Sequence, residues 1–167
     1  MMWISIGLLA FVTAQRLAEL MLAQHNTRAL IAKGGREIGA QHYPYMVALH
    51  ACWMAGLWFL APGRPVEPVW LAVFAVLQIA RLWVIATLKG RWTTRIIVLP
   101  DAPLVSTGPY RVFAHPNYAV VIGEIAVLPL AFGMPVYAAV FSVLNALMLG
   151  VRITAEDRAL KAAMFLK

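Results

Sequence analysis

The stretch Pro68-Val-Trp-Leu-Ala-Val-Phe-Ala-Val-Leu-Gln-Ile-Ala-Arg-Leu-Trp-Val-Ile-Ala-Thr-Leu88 carries one charge, Arg81, in 21 residues. Wound as an α-helix it is roughly 32 Å long, enough to cross a hydrocarbon core of about 30 Å. The same test, applied outward, finds Trp3–Ala23, interrupted by Gln15, Arg16 and Glu19, and Tyr43–Ala61. Nothing basic precedes the first of these, so it reads as a retained span rather than a signal peptide. Downstream, Tyr118–Phe132 and Val136–Val151 are joined by Gly133-Met134-Pro135 as a helical hairpin. Each is only about 24 Å long, short of a full crossing. The expected fold is therefore all-α, an integral-membrane bundle of about five transmembrane segments forming one domain over 1–167. Residues 1–88 hold three N-terminal spans, 89–117 a cytoplasmic loop, 118–151 the hairpin and 152–167 a cytoplasmic tail.

Composition agrees. The chain is 62% hydrophobic and 13% charged, with a mean hydropathy of +0.77, against about 45–50% and 25% in soluble domains. The lone cysteine, Cys52, excludes an internal disulfide framework. Histidines at 25, 42, 50 and 115 lack carboxylates at ligand spacing, so no metal site is expected. The formal charge of +7 follows topology. Eleven basic residues fall in the segments 25–42, 89–117 and 152–167, against Arg64 alone in the other loops. Five crossings put those three segments on one side, and the excess of Lys and Arg makes it the cytoplasmic side, with the N-terminus outside. Nucleic acid is not needed to explain the charge.

Polar residues inside such spans are costly and face the bundle interior or a water-filled cavity. Arg16, His50, Arg81, Glu124 and Asn145 come from all five segments and fall roughly 10 Å below the cytoplasmic face, with Glu19 shallower and Gln78 deeper. The plainer reading is that the ionic members lock the helices together. The shared depth instead suggests a polar pocket open to the cytoplasm, with Arg81 and Glu124 as an ion pair near its reacting groups.

The loop before the hairpin ends in Gly108-Pro109-Tyr110-Arg111-Val112-Phe113-Ala114-His115-Pro116-Asn117-Tyr118. Proline favours the first helical position and pushes its predecessor out of helical geometry, making His115 the N-cap of the fourth segment. The free N–H groups there suit a carboxylate or phosphate.

Gly108-Pro109-Tyr110, then His115-Pro116-x-Tyr118, a short hairpin and the acidic pair Glu156-Asp157 with Leu160 resemble the isoprenylcysteine carboxyl methyltransferases. That family shares its C-terminal pattern with membrane phospholipid methyltransferases. The resemblance covers about residues 90–160. It departs at Ala114, where the family has arginine, and at Asp157, where the family has a second glutamate; Arg111 is a candidate substitute for the arginine. The resemblance implies an S-adenosylmethionine site over 108–160, held by Tyr110, His115, Pro116, Tyr118, Arg152, Glu156 and Asp157. Without it, Glu156 would read as an i,i+4 partner of Arg152.

The implied activity is methyl transfer to a lipophilic acceptor, at a carboxylate or hydroxyl oxygen, with His115, Arg81 and Glu124 as candidate catalytic residues. Other readings are phospholipid amine N-methylation and a non-catalytic transporter or assembly protein, although the paired repeats typical of transporters are absent from the sequence. The alanine- and arginine-rich character points to a prokaryotic inner membrane, with the site facing the cytoplasm. There prenylated cysteine is a less expected acceptor than a polyketide lipid. Oligomeric state has no signature in the sequence.

Overall fold

The computed structural model describes residues 2–99 and 102–165, with side chains through residue 159. Among the expected features, Lys167 and Pro100 lie outside the described residues, as do the side chains of Leu160 and Lys161. Five helices dominate: α1 (Met2–Ala32), α2 (Tyr43–Leu60), α3 (Pro68–Leu88), α4 (Pro116–Ala131) and α5 (Pro135–Phe165). Three of them, α1, α3 and α5, are long and apolar enough to cross a membrane. α4 is shorter, and the proline, two tyrosines and histidine of α2 dilute its 18 residues.

Three expectations change. α1 continues to Ala32 instead of stopping near residue 23. The region expected as a tail from residue 152 is the continuation of α5, 31 residues in all, so the fifth segment is not short. Hydropathy marks where a helix leaves lipid, whereas Ala, Glu, Arg and Leu after that point are good helix formers and carry it onward. The fold is also not purely helical, because β1 (Arg36–Ile38) and β2 (Ile96–Val98) pair antiparallel with Glu37 opposite Ile97. These strands close the end of the bundle where α1 and α3 finish.

The hairpin turn is as its sequence demands. Gly133 takes φ 63°, and the N–H groups of Gly133 and Met134 bond to Leu130 and Pro129 carbonyls at 2.9 and 3.0 Å. This left-handed cap satisfies the last carbonyls of α4. Gly123 lets α3 and α4 approach: a Cβ there would lie 2.8 Å from Leu77 Cδ2.

Burial along α1 follows an i, i+3, i+4 stripe through Leu9, Val12, Glu19, Ala23, Asn26 and Leu30. Its other faces expose Trp3, Phe11, Leu17 and Met21, as lipid contact requires. Two apolar cores result. The larger joins Leu9, Trp53, Leu57, Phe74, Leu128 and Phe132, and the smaller joins Ala23, Val84 and Trp92 near the sheet. A layer of polar side chains separates them.

Candidate functional site

At the sheet end, Pro109 is buried and Gly108–Arg111 forms a 3-10 turn leading to the α4 start. His115 occupies the N-cap position, but its side chain makes no cap hydrogen bond. The ring instead turns to α5: Nε2 lies 3.2 Å from Asp157 Oδ1 and Nδ1 lies 3.8 Å from Glu156 Oε2. Tyr118, one helical turn on, stacks against that ring with centroids 5.3 Å apart. Its hydroxyl donates to Glu156 Oε2 at 2.6 Å. Arg152, one turn before Glu156, carries its guanidinium 5.9 Å from the Tyr118 ring and donates from Nη2 to the Thr94 carbonyl at 3.0 Å. Thus two sequence-distant fragments, 115–118 and 152–157, meet because α4 and α5 are antiparallel neighbours. The i,i+4 pair between Arg152 and Glu156 does not form among the described residues; both side chains go elsewhere.

The setting is half dry. Arg152 is 4% exposed and its Nε has no partner among the described residues, a costly arrangement unless a ligand atom completes it. Tyr110 packs on the Trp92 core, where burial and the nearby Glu156 carboxylate push its phenol up to about 12. Pro116 is buried and makes the backbone corner. Of the expected binding residues, His115, Tyr118, Arg152, Glu156 and Asp157 form one cluster, with Tyr110 within the field of Glu156.

Arg81 and Glu124 form a separate group. Glu124 accepts from Arg81 Nε at 2.8 Å, from Gln78 Nε2 at 2.8 Å and from Arg16 Nη2 at 2.8 Å, while Arg81 Nη2 reaches its other oxygen. Glu19 bonds Arg16 at 2.6 Å and Arg81 at 3.3 Å. Two arginines and two glutamates balance, so this quartet, buried apart from the half-buried Arg16, is neutral. No hydrogen bond or ion pair among the described residues joins it to His115. His50, expected in the same layer, bonds the Met46 carbonyl of its own helix, and the buried Asn145 Oδ1 has no partner among the described residues. The predicted layer is therefore met in part, by Arg16, Arg81 and Glu124.

Sequence reading missed Thr94, whose carbonyl seats Arg152, and Trp92, whose carbonyl accepts from Asn26 at 2.8 Å. Both lie in a loop without periodicity. Nothing local marks a residue whose role is its backbone oxygen.

The fold thus sets a polar cluster where an apolar hairpin meets a proline-capped junction. The profile of the isoprenylcysteine carboxyl methyltransferase (ICMT) family matches residues 70–162, and the chain belongs to that family. Membership makes it an integral-membrane protein of methyltransferase type. The chain is 39% identical over 166 residues to the uncharacterized protein YpbQ of Bacillus subtilis (strain 168), covering 96% of this chain and 97% of the other. It is 26% identical over 165 residues to an uncharacterized protein of Haemophilus influenzae, covering 90% and 91%. No solved structure matches the chain.

Proposed function

We propose that the protein transfers a methyl group from S-adenosylmethionine to an oxygen of a lipophilic acceptor at the cytoplasmic face of the membrane. The observation that carries this is the meeting of His115, Tyr118, Arg152, Glu156 and Asp157. The residues fit the donor: stacked aromatic rings suit an adenine or a sulfonium, carboxylates suit ribose hydroxyls or positive charge, and Arg152 Nε, without a partner among the described residues, can donate to an acceptor atom. When bound, the donor supplies an electrophilic methyl, whose S–C bond breaks as an O–C bond forms and leaves a neutral thioether.

The chain's own task is alignment and exclusion of water. Tyr118 and Glu156 fix one another, and Arg152 is anchored by Thr94, so the cluster is preorganised. A carboxylate acceptor has no proton to lose. For a phenol or enol, His115 is the residue placed to take the proton, and Asp157 beside it would steady the resulting imidazolium. Arg81 and Glu124 act on this reading by holding α1, α3 and α4 in register rather than by touching the acceptor. Five segments with the N-terminus outside put the cluster on the cytoplasmic side, as the distribution of basic residues supports. Relatives in two bacteria fit a bacterial cytoplasmic membrane as the setting.

Isothermal calorimetry with S-adenosylmethionine tests the reading. Wild type binds; His115→Ala and Glu156→Ala weaken binding by about tenfold or more, the scale of a lost charge-assisted hydrogen bond, while remaining folded by circular dichroism. Absence of binding by wild type, or wild-type affinity in both variants, defeats it.

A further inference from the structure

α1 passes from apolar to polar within the wall of one cleft. Leu20 lines it, and Gln24, Thr27 and Arg28 follow on the same helix face one and two turns later. The cleft encloses about 460 Å³ between α1, α2 and the arm leading into β2. Its two aliphatic lining residues, Leu20 and Val47, remain 37% and 41% exposed on faces that meet lipid. The cleft therefore spans the level at which α1 leaves the hydrocarbon for the headgroups.

Thr94 and Arg152 separate this cleft from the donor cluster. Thr94 turns its hydroxyl to Tyr43 at 3.0 Å and its carbonyl to Arg152 at 3.0 Å. A molecule held here sits behind that wall, out of reach of a methyl group on the other side. The cleft is thus a place for a resident ligand and not for a reactant.

The charge of the lining selects the ligand. Arg95 donates to Glu37 at 2.6 Å and lies 4.1 Å over the Tyr43 ring, so the one carboxylate among the described lining residues is already engaged. Arg28 is exposed and makes no hydrogen bond or ion pair among the described residues. Two cations against one carboxylate leave a surplus of one positive charge. An ammonium would meet two guanidiniums and no free carboxylate, which disfavours choline and ethanolamine heads. A phosphodiester without an ammonium carries one negative charge, balances the surplus, and accepts from guanidinium and hydroxyl alike. Basic pockets at this depth attract such heads from an anionic leaflet.

We propose that this cleft holds one anionic phospholipid as a structural ligand, its phosphodiester at Arg28, Arg95 and the Tyr43 hydroxyl and its acyl chains passing Leu20 and Val47 into the adjoining leaflet. Occupancy has a route to the donor cluster. A head bonded to Tyr43 and Arg95 fixes the arm that carries Thr94, and Thr94 seats Arg152, which overlies Tyr118. Anionic lipid therefore preorganises Arg152 and raises donor affinity. That consequence rests on the methyl-transfer reading; the lipid site does not.

Native mass spectrometry of the full-length protein in detergent, titrated with dioleoyl-phosphatidylglycerol, tests the site. One molecule is retained, about tenfold more tightly than phosphatidylcholine or phosphatidylethanolamine with the same chains. Arg28→Gln and Arg95→Gln each weaken retention about tenfold. Lys33→Gln, an equal loss of charge outside the lining, leaves it unchanged. Inorganic phosphate, which lacks the chains, does not compete. Should Arg95→Gln misfold, Arg28→Gln carries the test, because Arg28 has no bond among the described residues to lose. Equal retention of phosphatidylcholine, equal weakening in Lys33→Gln, or displacement by inorganic phosphate overturns the proposal. Calorimetry in nanodiscs reads the consequence. S-adenosylmethionine binds about fivefold or more tightly when the disc contains phosphatidylglycerol than in phosphatidylcholine alone. Arg28→Gln removes that difference and keeps the affinity seen in phosphatidylcholine. Equal affinity in both discs overturns the coupling. Absence of donor binding in either disc defeats methyl transfer, while the retained lipid still decides the site.

Discussion

Tyr118 does two jobs that substitution can separate: its ring stacks on His115, and its hydroxyl fixes Glu156. Tyr118→Phe keeps the ring and loses one hydrogen bond to a carboxylate, so S-adenosylmethionine affinity should fall by about tenfold. Tyr118→Ala removes both, and calorimetry should read a larger loss. Tyr110 offers a pH test. Its folded-state phenol is raised to about 12 from an ordinary 10, so burial favours the neutral form. Stability from this group is complete below pH 10 and is lost as pH rises through 12. Denaturation followed between those values should show a loss that Tyr110→Phe flattens. A loss of equal steepness in the variant would place the charge-sensitive group elsewhere. At this scale the sequence was legible wherever residue type and spacing carried the information, as in His115-Pro116-x-Tyr118. Partner choice was not legible. His115 bonds Asp157 rather than capping its helix, because a carboxylate 42 positions away is closer than any geometry within the motif could reveal.

Between elements, the quartet of Arg16, Glu19, Arg81 and Glu124 ties α1, α3 and α4 at the level where the two apolar cores separate. The pairing of Arg81 with Glu124 could be anticipated because both lie at one depth and a lone charge in lipid is expensive. Glu19 belongs to the same plainer reading of the ionic residues as a helix lock; the hydrogen bond from Gln78 to Glu124 could not be anticipated, since depth alone does not say which helix face turns inward. Arg81→Leu leaves Glu124 with Arg16 and Gln78, and Glu124→Leu leaves Arg81 with Glu19 at 3.3 Å, so each leaves the layer one charge out of balance. Each single substitution should destabilise the protein in detergent, by less than the about 3–5 kcal/mol of a wholly unpaired buried charge because one ionic partner remains, and the double variant should recover part of that loss. Thermal unfolding in a double-mutant cycle measures it, and strictly additive losses would show that the two side chains do not act as a pair. The same cycle separates structure from chemistry: a quartet that only holds helices leaves donor affinity unchanged in whichever variants remain folded.

The whole molecule is ordered along one axis, from a lipid-matched apolar core through a neutral ionic layer to a basic, strand-closed end that carries the candidate site. That order was readable from hydropathy and charge, whereas the strand pair was not, because three-residue strands lack a usable period and form only once α1 and α3 bring residues 36–38 and 96–98 together. Five segments make a definite claim about orientation. α1 and α5 each exceed the membrane thickness, at 31 residues, or roughly 46 Å. Their surplus must project into water, and both surpluses, Gln24–Ala32 and Arg152 onward, are polar and lie toward the end carrying β1 and β2. The hairpin Gly133-Met134-Pro135 and the loop 61–67 sit at the opposite end with one basic residue between them, Arg64. The membrane should therefore cross the apolar core and leave the strands on the cytoplasmic side. Reporter fusions that are active only in the cytoplasm or only outside it should put the C-terminus inside, the N-terminus outside and residue 64 outside. Thiol labelling from the two sides of a closed vesicle should agree, with Thr107→Cys reached from the cytoplasmic face alone. Termini on the same side would mean that one of the two less convincing segments, the polar-rich α2 or the 16-residue α4, enters the bilayer and returns. α4 is the one to suspect, since its Pro116 start is pinned to the site and its length of about 24 Å lets it reach the core without crossing.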